Sequence, residues 1–244
     1  MSDAIVWITG ASAGIGAALA QQVPFPARVI DISRSGGTPG TEHLAADLTD
    51  PQAWGRVGEL IAAELADTDA ARVALVQCAG LLEPIGFAGE VDDASYRANV
   101  LVNAAAPQVL GHAFLAALRS SGYPGRADLA ILTSGAAKKP YPGWSAYSAG
   151  KAAVDAWVRA VGQEQEARGD RCTVRAIGPG VVATTMQEQI RRADERDFPA
   201  VEKFQGLYER GELADPADAA RDVWALIDQP DLGNGAVVDV RDLR

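Results

Sequence analysis

Cysteine is nearly missing from this chain: Cys78 and Cys172 are the only two. Each lies in or beside an apolar run, so buried free thiols are expected and a disulfide is not. Histidine is equally scarce, and His43 and His112 lack the spacing of metal ligands. No metal site is expected. Positive charge is short as well, with 22 Lys and Arg against 32 Asp and Glu and a net charge of −10. That balance argues against non-specific binding to nucleic acid or to an anionic membrane, while leaving room for a basic pocket that holds a phosphate. No continuous apolar run approaches the roughly 18 residues of a membrane span. Residues 1–10, MSDAIVWITG, lack the basic start, apolar middle and small-residue cleavage site of a signal peptide, so the expected location is cytoplasmic. Internal repeats and low-complexity segments are absent too.

A length of 244 residues with 48% hydrophobic residues fits one domain, 1–244, with a sizeable core. Residues 4–9, AIVWIT, read as a strand. Gly10, Gly14 and Gly16 follow at once, and a helix is expected over 15–22. Strand, glycine-rich turn and helix N-terminus together aim backbone N–H groups at an anion. The spacing G-x-x-x-G-x-G differs from the G-x-G-x-x-G dinucleotide fingerprint. The physical needs are the same: a tight turn, close approach of backbone to a pyrophosphate, and close helix–strand packing. A plain turn without a ligand is the alternative.

Further strands are expected at 29–32, 43–46, 72–77, 128–133, 172–177 and 236–240. Helices are expected from an Asp50-Pro51 start to about 65, from about 94 towards 118 with a kink or break at Pro107, over 145–167, and from Asp215-Pro216 to about 227. Residues 184–212 read as a polar, helical segment that covers the substrate. Strands alternating with helices place the chain in the α/β class, as a single Rossmann-type doubly wound domain. It has a seven-stranded parallel sheet with helices on both faces. Ligands in such folds bind at the carboxyl ends of strands. Gly10–Gly16, Ser33-Arg34, Cys78-Ala79-Gly80, Ser134 and Pro179-Gly180 all fall there.

The stretch 134–151, SGAAKKPYPGWSAYSAGK, carries the chemistry. Tyr147 and Lys151 are four apart, one turn along one helix face. A free phenol has a pKa of about 10 and is a poor acid or base at neutral pH. A neighbouring ammonium is expected to lower it and to poise Tyr147 for general acid–base work. Two surface residues would be the plainer explanation of the spacing alone.

In combination these residues resemble the short-chain dehydrogenase/reductase family over almost the whole chain. The motifs are Thr9-Gly10-x-x-x-Gly14-x-Gly16, Asp47 after the third strand, Ala79-Gly80, Asn99, Ser134, Tyr147-x-x-x-Lys151, and Pro179-Gly180 followed by Thr184. Gly143-Trp144, Thr184-Thr185-Met186-Gln187 and the tail Gly235–Asp239 are similar to the sepiapterin reductase and benzil (diketone) reductase branch. The resemblance implies an enzyme with Tyr147 as general acid for carbonyl reduction. Lys151 would lower its pKa and bind the nicotinamide ribose. Ser134 would hold the carbonyl oxygen, and Asn99 a water linking Lys151 to solvent. It implies cofactor contacts from Ser12, Ile15, Leu48 and Val182 besides the glycines. Asp47 would meet the adenine and Thr184 the carboxamide. Asn99 as an ordinary helix polar residue and Asp47 as a turn residue are the alternatives. In place of the family's frequent Asn-Asn-Ala-Gly this chain has Gln77-Cys78-Ala79-Gly80, and Cys78 cannot make an amide's hydrogen bonds.

Cofactor preference rests on the end of the second strand. Ser33 stands where an acid would favour NAD(H), and Arg34 follows, so NADP(H) is expected. A shifted register bringing Asp31 to the ribose would reverse this, and Arg34 as a surface charge would leave it open. Trp144, Tyr141, Leu81, Leu82, Met186 and the 184–212 segment are expected to shape an apolar pocket for a small-molecule ketone or vicinal diketone. Trp144 as core packing is the alternative. Asp239 stands where pterin reductases grip the pterin, which keeps a pterin side-chain reductase open. A non-catalytic dinucleotide-binding scaffold or sensor is the reading of another class. The resemblance also implies a homodimer or homotetramer, paired through the helix after the fourth strand and the one carrying Tyr147.

Overall fold

Strand β1 (Ala4–Thr9) is buried along its whole length. Only a strand covered on both faces reads as such an unbroken apolar run. The computed structural model describes residues 4–169 and 172–243; Met1 to Asp3 of the N-terminal stretch lie outside these. After β1 come α1 (Gly14–Gln21), β2 (Arg28–Ser33), β3 (Glu42–Ala45), α2 (Pro51–Asp67), β4 (Arg72–Gln77) and α3 (Asp93–Val100). Then follow α4 (Ala106–Ser121), β5 (Arg126–Leu132), α5 (Ser145–Arg168), β6 (Cys172–Gly178), α6 (Thr185–Arg191), α7 (Val201–Glu209), α8 (Pro216–Asp228) and β7 (Val237–Asp239).

The seven strands form one parallel sheet in the order β3-β2-β1-β4-β5-β6-β7. The chain builds β1 to β3 outward, then crosses back to lay β4 against β1, with Ala4 opposite Arg72 and Thr9 opposite Gln77. At this reversal the loops after β1 and β4 diverge and leave a crevice. Side chains alternate across the sheet. Ile5 and Trp7 pack with Val57 and Ile61 of α2, Leu110 and Phe114 of α4, and Val154 and Val158 of α5. Val6 and Ile8 pack with Leu19 of α1 and with Val223 and Trp224 of α8.

The two Asp-Pro starts form as expected. Asp50 accepts from the Gln52 backbone N–H, and Asp215 from those of Ala217 and Asp218. Strand β5 begins earlier than expected because Arg126 is anchored on Asp128 and Asp228. Edge strand β7 is shorter, pairing only with β6. Helices α3 and α4 join through a π-helical turn, Leu101–Ala105, directly ahead of Pro107. Proline has no N–H for the carbonyl of Asn103 four residues back, so the break falls there. The joined helix, Asp93–Ser121, is long and apolar enough to cross a membrane by length and composition, although its apolar residues form no continuous run of that length. Polar Asn99 and Asn103 interrupt it, and Val102, Ala106, Leu110, Phe114 and Ala117 bury it in the core.

Candidate active site

The turn after β1 is built on close approach. Gly10 has φ +73°, and a Cβ there would stand 2.8 Å from the Ala79 α-carbon. A Cβ at Gly16 would stand 2.1 Å from the Gly10 carbonyl oxygen. Only glycine fits at either position. Thr9 ties this turn to the end of β4: its Oγ1 accepts from the N–H groups of Cys78 (3.1 Å) and Ala79 (3.2 Å). Helix α1 has no side-chain cap at its N-terminus, so its first N–H groups are open to an anion.

Two cavities meet along this edge. A cleft of about 310 Å³ is lined by Gly10, Ser12, Gly14, Ile15, Gly16, Ser33, Arg34, Asp47, Leu48, Ala79, Gly80 and Thr184, the groups expected to hold a dinucleotide. Its narrow glycine cradle and open helix end fit a pyrophosphate. A second cavity of about 610 Å³ is lined by Ser134, Trp144, Tyr147, Pro179, Gly180, Val182 and Asp239. Ile15, Thr184 and Met186 line both. Leu81 lines the first cavity, and Leu82 the second, beside Ser134 and Tyr147.

At the end of β2, Ser33 accepts from the Gly36 N–H at 3.0 Å, and Arg34 is exposed on the cleft. Asp31 is fully buried within the strand, beside Ile8 and His43, and does not line the cleft. The shifted register is therefore not realised. Asp47 accepts from both the N–H and the hydroxyl of Thr49, which holds its carboxyl below the usual range. It is a turn residue as well as a wall of the cleft.

Tyr147 and Lys151 lie on α5, whose entry is set by Trp144. Both are buried. Lys151 Nζ donates to the Leu132 carbonyl at 2.9 Å, anchoring the helix over the end of β5. Burial pulls its pKa down to about 8, with Cys78 and Asp155 acting the other way. The Tyr147 phenol departs from expectation: burial raises its pKa, and the hydrogen bond with Ser134 only partly opposes this. The Lys151 ammonium lies 5.9 Å from the ring centroid, with Leu132 as its hydrogen-bond acceptor, and desolvation wins. Desolvation pushes the Cys78 thiol up to about 12, although the residue is only half-buried on the wall of the first cleft.

Asn99 does not take the expected position. Its Nδ2 donates to the carbonyls of Leu81, Leu82 and Glu83, and its Oδ1 accepts from Asn103. It organises the loop after β4. Asn103, one turn on, lies beside the lysine. A Cβ at Gly80 would stand 3.2 Å from Asn103 Oδ1 and 3.8 Å from Lys151 Nζ. Asp155 is a second residue the motifs did not single out, although it repeats the four-residue spacing after Lys151. It accepts from Thr133 Oγ1 at 2.5 Å, and burial raises its pKa.

In the second cavity, Trp144 stacks on Phe198 at 4.3 Å and sits edge-on to Tyr141 and Tyr147. It is both core and cavity wall. Asp239 is held by Arg241 through two bonds of 2.6 and 2.8 Å. Among the described residues no group of acids, histidines and cysteines is arranged to hold a metal.

A family profile described as "short chain dehydrogenase" matches residues 4–195. A benzil reductase ((S)-benzoin forming) of Bacillus subtilis is 31% identical over 239 residues, covering 96% of this chain and 97% of that protein. Sepiapterin reductase of Rattus norvegicus is 29% identical over 265 residues, covering 98% and 97%. Among solved structures, the KRED1-Pglu enzyme superposes with a TM-score of 0.80 at 29% identity, covering 96% of this chain and 99% of its own.

Proposed function

Because the chain belongs to the short chain dehydrogenase family and is therefore an oxidoreductase of that family, we propose that it reduces the carbonyl of a ketone or vicinal diketone with NADPH. The observation that carries this reading is the placement of Ser134 and Tyr147 in one cavity that joins the glycine-lined cleft. A dinucleotide held by the glycine turn and the wall around Ala79, Gly80 and Thr184 would supply a hydride to the carbonyl carbon. Tyr147 keeps its proton at neutral pH and delivers it to the carbonyl oxygen. Ser134 donates to the same oxygen and stabilises the charge that grows there. Lys151 and Asn103 position the phenol and the ribose side of the site. The segment carrying α6 and α7 covers the substrate.

NADPH is favoured over NADH because Arg34 stands exposed on the cleft, facing Asp47 through space and forming no salt bridge among the described residues, while Asp31 is buried away from it. A benzil reductase among the relatives supports the diketone. A pterin reductase would need the Asp239 carboxylate to grip its ligand, and Arg241 already holds it. A scaffold without catalysis would have no need of the Ser134, Tyr147 and Lys151 set. The protein pairs through the helices α3–α4 and α5, where Val100 and Val109 are exposed.

Benzil and sepiapterin, offered with NADPH, test the reading through loss of NADPH absorbance. Benzil is expected to turn over, and Tyr147→Phe to cut the rate by about 100-fold or more. Binding of NADPH with no oxidation by any carbonyl compound would sink it.

A further inference from the structure

All four lysines of this chain gather at one place. Lys151 lies beside Tyr147, and Lys138, Lys139 and Lys203 line the substrate-side cavity. In a chain of net charge −10 this runs against the overall balance. Of the three acids on the same wall one is paired with a cation, and the other two are held by neutral donors. Asp239 is paired with Arg241, Asp155 accepts from Thr133, and Asp242 accepts from the Asp239 N–H at 3.0 Å. Among the described residues neither Lys138 nor Lys139 forms a salt bridge, although Lys138 is near enough to Asp155 and Asp239 to act on both carboxyls. Lys203 Nζ donates to the Tyr141 hydroxyl at 2.6 Å and leans over the Tyr141 and Phe204 rings.

The same cavity holds two orphaned donors. Trp144 Nε1 and Gln187 Nε2 have no partner, although the residues are only 4% and 2% exposed. Gln187 Oε1 already accepts from Arg191 at 3.0 Å, so the open function is its donor. An indole N–H can only donate. Buried donors of this kind are costly unless an acceptor reaches them. Around them Tyr141, Trp144 and Phe204 form flat apolar walls.

We infer that the substrate is an aromatic carbonyl compound bearing a carboxylate on the side away from the reacting carbonyl. Tyr147 is buried deep in the cavity, whereas Lys138, Lys139 and Lys203 are exposed at its rim. The rim lysines take the charge, the aromatic walls take the ring, and the orphaned donors take acceptor oxygens along its length. The carboxylate has no part in the redox step. This inference rests on the reductase reading above and narrows its substrate class.

The probes are benzil and para-carboxybenzil, which share the reacting diketone and differ in charge. Binding is followed by tryptophan fluorescence with NADP+, which cannot reduce either probe, and turnover by loss of NADPH absorbance in a parallel assay. The carboxylate is expected to bind about tenfold more tightly at low salt. That advantage is expected to fall towards parity by about 0.5 M salt, as screening requires of an exposed charge. Joint substitution Lys138→Ala and Lys139→Ala is expected to lower the carboxylate-to-benzil ratio of kcat/KM through KM. Both side chains are exposed, and the salt titration on the unaltered protein supplies the same answer independently. Equal affinity for the two probes, or a ratio indifferent to salt and to the lysines, overturns the inference and leaves the reductase reading intact. Charge-selective binding without NADPH oxidation overturns the reductase reading and leaves the anion site standing. If neither probe binds, both fall.

Discussion

Lys151 carries its charge in a place that disfavours it. Its pKa of about 8 in the folded protein lies below the 10.5 of an exposed lysine, chiefly from desolvation. For a base shifted downward, the folded state is penalised wherever both states are protonated, which is below about pH 8. Between pH 8 and 10.5 the unfolded chain binds more protons, so stability rises with pH and the penalty disappears. Lys151→Met is therefore expected to stabilise the cofactor-free protein at pH 7 by up to about 3 kcal/mol, less whatever the bond to Leu132 contributes. The gain should vanish by pH 10.5 in urea titrations, while turnover is lost. A gain independent of pH would mean packing, not charge, is responsible. At the cofactor end, Arg34→Ala removes a cation but no buried contact. It should cut the preference for NADPH over NADH by about tenfold or more, read as the ratio of the two kcat/KM values.

At the scale of elements, the contact between α5 and the π-helical turn governs the site. A Cβ at Gly150 would stand 2.9 Å from the Asn103 Cβ. Gly150→Ala should push the helix outward, lowering stability by about 1–3 kcal/mol as other overpacked sites do. It should also reduce kcat, because Tyr147 and Lys151 ride on that helix; thermal denaturation and steady-state rates check the two halves separately. This contact also marks the limit of what could be read from residues. Strands, Asp-Pro helix starts and the glycine turn are local patterns and were legible. Asn99 and Asn103 lie one turn apart on one helix, and spacing gives no reason to choose between them. The choice is made by the break before Pro107 and by three carbonyls after β4 that claim Asn99. The fate of Asp239 was hidden for a similar reason, since its partner Arg241 folds back from a short turn beyond the strand. The direction of the Tyr147 shift depends on burial, which a motif does not carry.

The whole molecule links binding to stability. A ligand that joins the two cavities binds only the folded chain, so NADPH at about 100 times its Kd should add about 2.7 kcal/mol to unfolding. NADH at the same concentration should add less. Differential scanning calorimetry reads both, and equal shifts would remove the role given to Arg34. Association belongs to this scale as well. Val109→Asp places a charge on the exposed face of α4 and should shift the protein towards monomer in light scattering.

The bonds from Thr9 to the chain after β4 span 69 and 70 residues. The fingerprint is thus written early and realised late. During synthesis the glycine turn can lean early on β2, where the Gly10 N–H donates to the Ile32 carbonyl, but its second wall after β4 has not yet been translated. Nucleotide capture in a nascent chain must wait for β4 to arrive beside β1. The site is an early sentence whose verb comes much later.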